Sequence, residues 1–420
     1  VGGRLGSVAV GVALAGLLGV TGTAAASPPG LDWVSRFGRR VDQESVTAVS
    51  TARRSIVVAG TTSGTLSGQV SAGATDGFLR SHATDGTVRW TRQFGSRGDD
   101  RVTGVAVGGK GEISVVGSFG GRLPGQPRLG DDDAFLQRWT RDGTLAWTRR
   151  FGTSSADVAT GVTVDPTGAV TVVGITSGAF RGLINAGDWD VFVRRYSAAG
   201  TVVWTRQFGT SGWDQLVGVT SDAAGGVVVA GHTDGVLPGR HGFGGSDLFL
   251  RAYDATGRIR WTRQLGTLEN DVASGISRGP EGDVYVVGRT GGVFRTQRSA
   301  GGDDAMLIRV AGDGAIRWIR QFGTTESDEA EAVALAPDGA AIVAGTTSGD
   351  LGGGSLGLAD AFLQAVAADG TASWTIQTGT AGMDNAHGVA VDSAGGIDLG
   401  GMQRQTAPGN GDAYLRRYHD

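Results

Sequence analysis

The chain has 420 residues, of which 40% are hydrophobic and 19% charged, with a formal net charge of −4 and no cysteine. The missing thiols exclude disulfides, thiolate metal sites and a cysteine nucleophile, so stability has to come from packing. Acidic and basic residues are interspersed without runs of either sign, which argues against a nucleic-acid partner.

Residues 1–26 stand apart. Arg4 precedes an apolar stretch from Val8 to Val20, followed by Thr23-Ala24-Ala25-Ala26-Ser27. A basic start, an apolar core and small residues describe a secretory signal peptide, with cleavage expected near Ala26. The apolar stretch is too short and too glycine-rich for a membrane span, so none is expected in the mature chain. Residues 27–420 are expected to form one domain in a secreted or cell-envelope setting.

That domain opens on Leu31-Asp32-Trp33-Val34-Ser35-Arg36-Phe37-Gly38, the first of seven tryptophan-centred strands. Trp33, Trp90, Trp147, Trp204, Trp261, Trp318 and Trp374 follow one another at 57, 57, 57, 57, 57 and 56 residues. A fixed long period means one supersecondary unit copied many times. The unit from Trp204 to Trp261 shows its parts. The run Trp204–Gly209 leads to Asp214 and Gly218-Val219-Thr220, then Gly226–Gly231, then a longer glycine-rich loop. Asp247–Arg251 follows, and Asp254-Ala255-Thr256-Gly257 turns into the next tryptophan. These are four short β-rich runs bounded by Gly, Asp or Ser.

Within the third run Val58, Val115, Val172, Val229, Val286, Val343 and Leu399 are always apolar, while their preceding neighbours include Ser114, Thr171 and Asp398. Alternation of that kind places successive side chains on opposite faces of a strand. No helical period appears after residue 26. Four antiparallel strands copied seven times predict an all-β, seven-bladed β-propeller. The tryptophans, with Phe94, Phe151, Phe208 and Phe322, are expected to fill the space between blades. The final unit lacks a following tryptophan strand, so the strand around Trp33 is expected to complete the last blade and close the ring.

Two aspartates recur in phase. Asp100, Asp157, Asp214, Asp271, Asp328 and Asp384 precede each innermost strand; Asp76, Asp133, Asp190, Asp247, Asp304, Asp360 and Asp412 precede each third strand. Both connections open on one face. The carboxylates are expected to accept hydrogen bonds from loop N–H groups. Calcium, which takes six to eight oxygens, is the alternative, with Asp131, Asp132, Asp188 and Asp303 as added acids. No other cofactor is expected.

Loops before the second aspartate set are the longest and most varied, and variable loops on a rigid scaffold commonly carry binding. They hold Arg128, Arg181, Trp189, Arg240, His241, Phe243, Arg295 and Arg298 as candidate contacts, arginine and aromatic side chains being common interface anchors. The histidines His82, His232, His241, His387 and His419 are scattered and form no metal-binding pair.

The phrase Trp-x-Arg-Gln-Phe-Gly, Asp, Gly-Val-x-Val, Val-Val-Gly-x-Thr-x-Gly, Asp-Ala-Phe-Leu resembles the bacterial seven-bladed β-propeller repeat family known as SBBP. Units from Trp90 to Trp318 match well. Near Phe37 the acidic residue falls at Asp42 where the phase expects position 43. The last unit has Thr378 in place of phenylalanine and Asp398 inside a strand. The resemblance implies the fold and an exported setting, without a reaction. The segment Ala252–Trp261 also resembles the tryptophan-docking motif of quinoprotein propellers, one residue shorter, which speaks to architecture alone. The expected function is a secreted, monomeric scaffold without catalysis, binding an extracellular protein or glycan. The alternative is a carbohydrate-active hydrolase or lyase.

Overall fold

The computed structural model describes residues 27–38, 42–52, 55–123, 125–404 and 411–419. The signal-peptide expectation for 1–26 lies outside the described residues. Each 57-residue period folds into one four-stranded antiparallel sheet, and there are seven such sheets. Blades 1 to 6 comprise residues 44–94, 100–151, 157–208, 214–265, 271–322 and 328–378. Blade 7 takes three strands from residues 383–419 and its outermost strand, Gly30–Phe37, from the other end of the chain. That strand pairs antiparallel with Asp412–His419, from Gly30 opposite His419 to Phe37 opposite Ala413. The ring therefore closes as the sequence predicts, and no helix occurs among the described residues.

The second and third strands of each blade form the core. Val58, Val115, Val172, Val229, Val286, Val343 and Leu399 are fully buried. Their polar-tolerant neighbours are buried too, because a blade is sandwiched on both faces. Ser114, Thr171 and Asp398 each have exposures of 0%. They are satisfied by arginines of the adjacent third strand, Arg138, Arg195 and Arg417 respectively. Asp398, an anomaly in the sequence, is thus half of a buried ion pair with Arg417 at 2.9 Å.

The tryptophans lie further out than expected. They sit on outermost strands, and six of the seven are only partly buried. Their indole Nε1 atoms donate across to the next blade: Trp33 to Thr84, Trp90 to Arg141, Trp204 to Ala255, Trp261 to Gly312 and Trp318 to Ala368, at 2.9–3.1 Å from each carbonyl oxygen. Each ring lies on the turn glycine joining that blade's last two strands. Gly257, at φ +79°, lies under Trp204, where a Cβ would come within 2.8 Å of the ring. Only glycine allows both that backbone and that approach. Trp374 has no such turn to meet, because the third and outermost strands of blade 7 come from opposite ends of the chain.

Candidate functional site

The innermost strands line a central channel, and each carries a β-bulge at one position. The ladder skips a residue between Val46 and Ala48, Val102 and Gly104, Ala159 and Gly161, Leu216 and Gly218, Ala273 and Gly275, Ala330 and Ala332, and Ala386 and Gly388. A bulge frees one residue from the pairing and re-aims its side chain. The freed residues are Thr47, Thr103, Thr160, Val217, Ser274, Glu331 and His387, and all seven line the channel.

In the first three blades the bulge hydroxyl stitches one blade to the next. Thr47 donates to the Val102 carbonyl at 2.9 Å, Thr103 to Ala159 at 2.6 Å and Thr160 to Leu216 at 2.7 Å. Val217 has no hydroxyl and breaks the series. Beyond it the polar groups turn on one another. Ser274 donates to Glu329 Oε1 at 3.1 Å, Thr346 to Glu331 Oε1 at 2.6 Å, and His387 Nδ1 lies 2.5 Å from Glu331 Oε2. Glu331 also lines a second pocket at the aspartate-bearing mouth of the channel, with Arg289, Asp303, Glu329, Thr346 and Asn385. Arg289 bridges Asp303 at 2.5 Å and approaches Glu329 at 3.9 Å.

Electrostatics at this mouth differ from the rest of the ring. Burial alone would lower the pKa of His387, but its hydrogen bond to Glu331 and the charges of Glu331 and Glu329 raise it. Burial raises Glu329, and the like charge of Glu331 adds to that rise. The arrangement offers donors and acceptors with acid in excess. It suits a hydroxyl-bearing ligand, and the Glu331–His387 pair is also a potential proton donor and acceptor.

The two aspartate sets meet at each blade junction. Carboxylates preceding innermost strands accept from loop N–H groups four residues earlier, as Asp157, Asp214, Asp271, Asp328 and Asp384 do at 2.5–2.6 Å. The second set does the same at 2.8–3.3 Å. It also accepts from the glutamine three residues after each tryptophan, at 2.7–2.9 Å for Gln93, Gln207, Gln264, Gln321 and Gln377. Two blades carry arginine there: Arg36 in blade 7 and Arg150 in blade 2, which forms a buried ion pair with Asp133. Elsewhere two buried acids face each other across a glycine, as Asp76 and Asp100 do across Gly95. Burial pushes Asp100 up to about 6, its loop hydrogen bonds oppose this, and Asp76 adds to the rise. Near Phe37 the equivalent acid is Glu44, where the sequence pointed to Asp42 or position 43. The connecting loop is longer there, and Glu44 accepts from Thr62 at 3.0 Å. No group of three or more His, Cys, Asp or Glu residues able to hold a metal ion occurs among the described residues.

The loop candidates divide. Arg181, His241, Arg295 and Arg298 are exposed. Arg128 donates to its own loop at the Asp131 carbonyl, and Arg240 to Thr262 at 3.1 Å. Phe243 is 42% exposed. These residues belong to blades 2 to 5 and line neither the channel nor its mouth pocket. Trp189 differs, because it meets Trp213 with ring centroids 5.6 Å apart. Phe180 and Phe294, by contrast, are buried caps whose N–H groups donate to Gln207 and Gln321. Glu331, Glu329, Arg289 and Asn385 escaped the sequence reading, and His387 was counted among scattered histidines. Their signal was available three residues after the first aspartate of each unit, where threonine, valine or serine gives way to Glu331 and His387.

A family model described as a beta-propeller repeat, SBBP, matches residues 260–295. The regulatory protein FlaEY of Caulobacter vibrioides is 29% identical over 225 residues, which cover 49% of this chain and 22% of that protein. The match thus spans about a fifth of the relative's length. Among solved structures, the WD40 domain of Neurospora crassa Pan2 superposes with a TM-score of 0.51 at 12% identity, covering 89% of both chains. The polysaccharide lyase Uly1 superposes with a TM-score of 0.52 at 11% identity, covering 89% of this chain and 90% of that one. Identities this low speak for the fold alone. The phased residues of the matched repeat recur around the ring, and the chain is a seven-bladed β-propeller whose repeat is similar to SBBP at residues 260–295.

Proposed function

We propose that this propeller is a non-catalytic binding scaffold of the extracellular or envelope space that takes a neutral, hydroxyl-rich ligand at its channel mouth. One observation carries the reading. The inner bulge position holds small or apolar residues in five blades and titratable ones only in blades 6 and 7, where Glu331 and His387 pair inside the channel. The surrounding framework keeps its repeat there, so the change serves something other than blade packing. Acid in excess at the mouth favours a neutral polyol over an anion.

The test is isothermal titration with a panel of neutral oligosaccharides, for the unaltered chain and for Glu331→Thr/His387→Thr, which restores the residue of blades 1 to 3. A neutral sugar should bind the unaltered chain, and the double variant should lose that binding while still unfolding in one cooperative transition above the assay temperature. Binding that survives in the double variant would reject the channel mouth as the site.

A carbohydrate-active enzyme is the second reading. The Glu331–His387 hydrogen bond is an acid–base pair, and one of the structural neighbours is named a polysaccharide lyase. A uronate substrate would need a free cation, however, and Arg289 is already engaged by Asp303 and Glu329. Turnover of any polysaccharide that Glu331→Gln abolishes would establish catalysis in place of binding alone.

A further inference from the structure

The residue just before each phased aspartate forms a second ring, around the channel mouth. Adjacent blades bring these residues together in pairs, recorded as parallel bridges between Thr75 and Asp99, Trp189 and Trp213, and Ala359 and Met383. At the other junctions the pair is small or polar, except that Met383, 41% exposed, stands opposite Ala359. Thr75 donates to Asp99 at 3.0 Å, and Ser246 N–H donates to Asn270 Oδ1 at 3.0 Å. At the junction of blades 3 and 4 it is two indoles, 5.6 Å between centroids and tilted by 39°. Trp213 is 42% exposed. Neither ring takes part in the docking of outermost strands onto the next blade, which six of the phased tryptophans supply. Packing therefore gives no reason for two large apolar rings on this face, and a partly buried Trp189 carrying an exposed Trp213 is the informative kind of exception.

We infer that Trp189 and Trp213 form a stacking platform for a sugar ring, and that the ligand of the channel mouth is a neutral saccharide chain running from this platform to the pocket of blades 5 to 7. The inference deepens the proposed binding function and rests on it for the second contact.

Three features select this ligand. The C–H face of a pyranose is apolar and flat and matches an indole surface, while its edge hydroxyls need polar partners. The residues along the path supply those partners: Ser246 and Asn270 at the next junction of the ring, then Asp303 and Glu329 in the mouth pocket. The rim is acidic, with Asp188 and Asp234 exposed beside the two tryptophans, so it repels uronates and sulfated chains. A quaternary ammonium would also stack on indole beside carboxylates. Two rings inclined by 39° do not enclose a ligand, whereas a cation is held best by rings that surround it.

The test is affinity electrophoresis of the full chain through gels containing neutral glucan, xylan or mannan, with polygalacturonate and alginate gels as anionic controls. Neutral hexasaccharides and choline are then titrated in solution. Retardation by at least one neutral polymer and by neither polyuronate is expected. Trp213→Ala should weaken that sugar roughly fivefold to tenfold, and Trp213→Phe, which keeps an aromatic face, should stay within about threefold. Since Trp213 is exposed, both variants should melt with the unaltered chain.

Several results would overturn the platform: no retardation by any neutral polymer, equal affinity in Trp213→Ala, or tighter binding of polyuronate or choline than of any neutral sugar. The Glu331→Thr/His387→Thr variant separates the two sites. Sugar binding lost in Trp213→Ala but kept in that variant upholds the platform and rejects the mouth; the reverse pattern rejects the platform alone.

Discussion

Closure of the ring makes a quantitative claim about Phe37. It lies in the strand donated from the start of the domain, is 7% exposed and meets Phe78 of blade 1 edge-on at 5.6 Å. The Arg80 guanidinium sits 4.4 Å from its ring centroid. Phe208 holds the same place between blades 3 and 4, edge-on to Phe249 at 5.7 Å and 3.8 Å from Arg251. Truncating a buried phenylalanine costs about 3–5 kcal/mol. Within that, an aromatic pair accounts for about 0.5–1.5 kcal/mol and a cation over the ring for about 0.5–2 kcal/mol. Phe37→Ala and Phe208→Ala should each therefore cost about 3–4 kcal/mol. An unfolding entropy of about 2.1 cal/mol/K per residue over roughly 390 residues turns this into a drop of about 4–5 °C in melting temperature. Urea titration with a check that m is unchanged, together with scanning calorimetry, measures both quantities. If Phe37→Ala falls within about 0.5 kcal/mol of the unaltered chain while Phe208→Ala loses the full amount, the donated strand does not pack on blade 1 in solution and the closure argument fails.

Arg150→Gln installs the glutamine of blades 1 and 3 to 6 and removes the cation paired with Asp133. The variant should lose on the order of 1 kcal/mol at pH 8 and less at pH 5, because burial and the Asp133 charge raise Asp157 and its protonation relieves the repulsion left by the missing cation; equal loss at both pH values in denaturant titrations would contradict the electrostatic account. His387 has a raised pKa in the folded chain, so its protonation contributes stability that is fully present below the unfolded value of about 6.5 and is lost as pH rises through the folded value. His387→Thr should accordingly cost more stability at pH 6 than at pH 9, measured by the same titrations, and a reversed or flat difference would remove the Glu331–His387 ion pair. Gly257→Ala places a Cβ at φ +79° and within 2.8 Å of Trp204. A loss of about 2–4 kcal/mol is expected, and a neutral substitution would show that the turn yields.

Blade count, strand order and the position of the closing strand were legible because each rests on local chemistry repeated in phase: a turn glycine, an aspartate that binds its own loop, and an always-apolar core position. The errors arise where the phase slips or where depth matters. Glu44 replaced the expected acid because the first connecting loop is longer. The tryptophans do pack between blades, but six of them are only partly buried, because periodicity reports that a residue is structural without reporting how deep it lies. Thr378, which stands where phenylalanine was expected, accepts from Arg416 at 2.7 Å. The arginine that elsewhere covers a ring has found a hydroxyl. The channel site was hidden for a different reason. Glu331 and His387 are 56 residues apart, and they become a pair only when two bulges on adjacent blades turn them into the same channel.

The repeat itself indicates where function can reside. Core strands are held by burial on both faces, outermost strands by the indole-to-turn contact, and loop bases by paired aspartate and glutamine, so substitution at these places carries a stability cost in every blade. Two positions escape that constraint: the bulge residue, which has left the ladder, and the residue before each aspartate, which projects at the channel mouth. Departure from the common pattern at either position therefore points to something other than the packing of a blade. The bulge series loses its hydroxyl at Val217 in blade 4 and becomes titratable at Glu331 and His387 in blades 6 and 7; the mouth ring becomes aromatic at Trp189 and Trp213 between blades 3 and 4. Polar groups on one side of the mouth and a tilted aromatic pair on the other are what a single extended ligand lying across it would select.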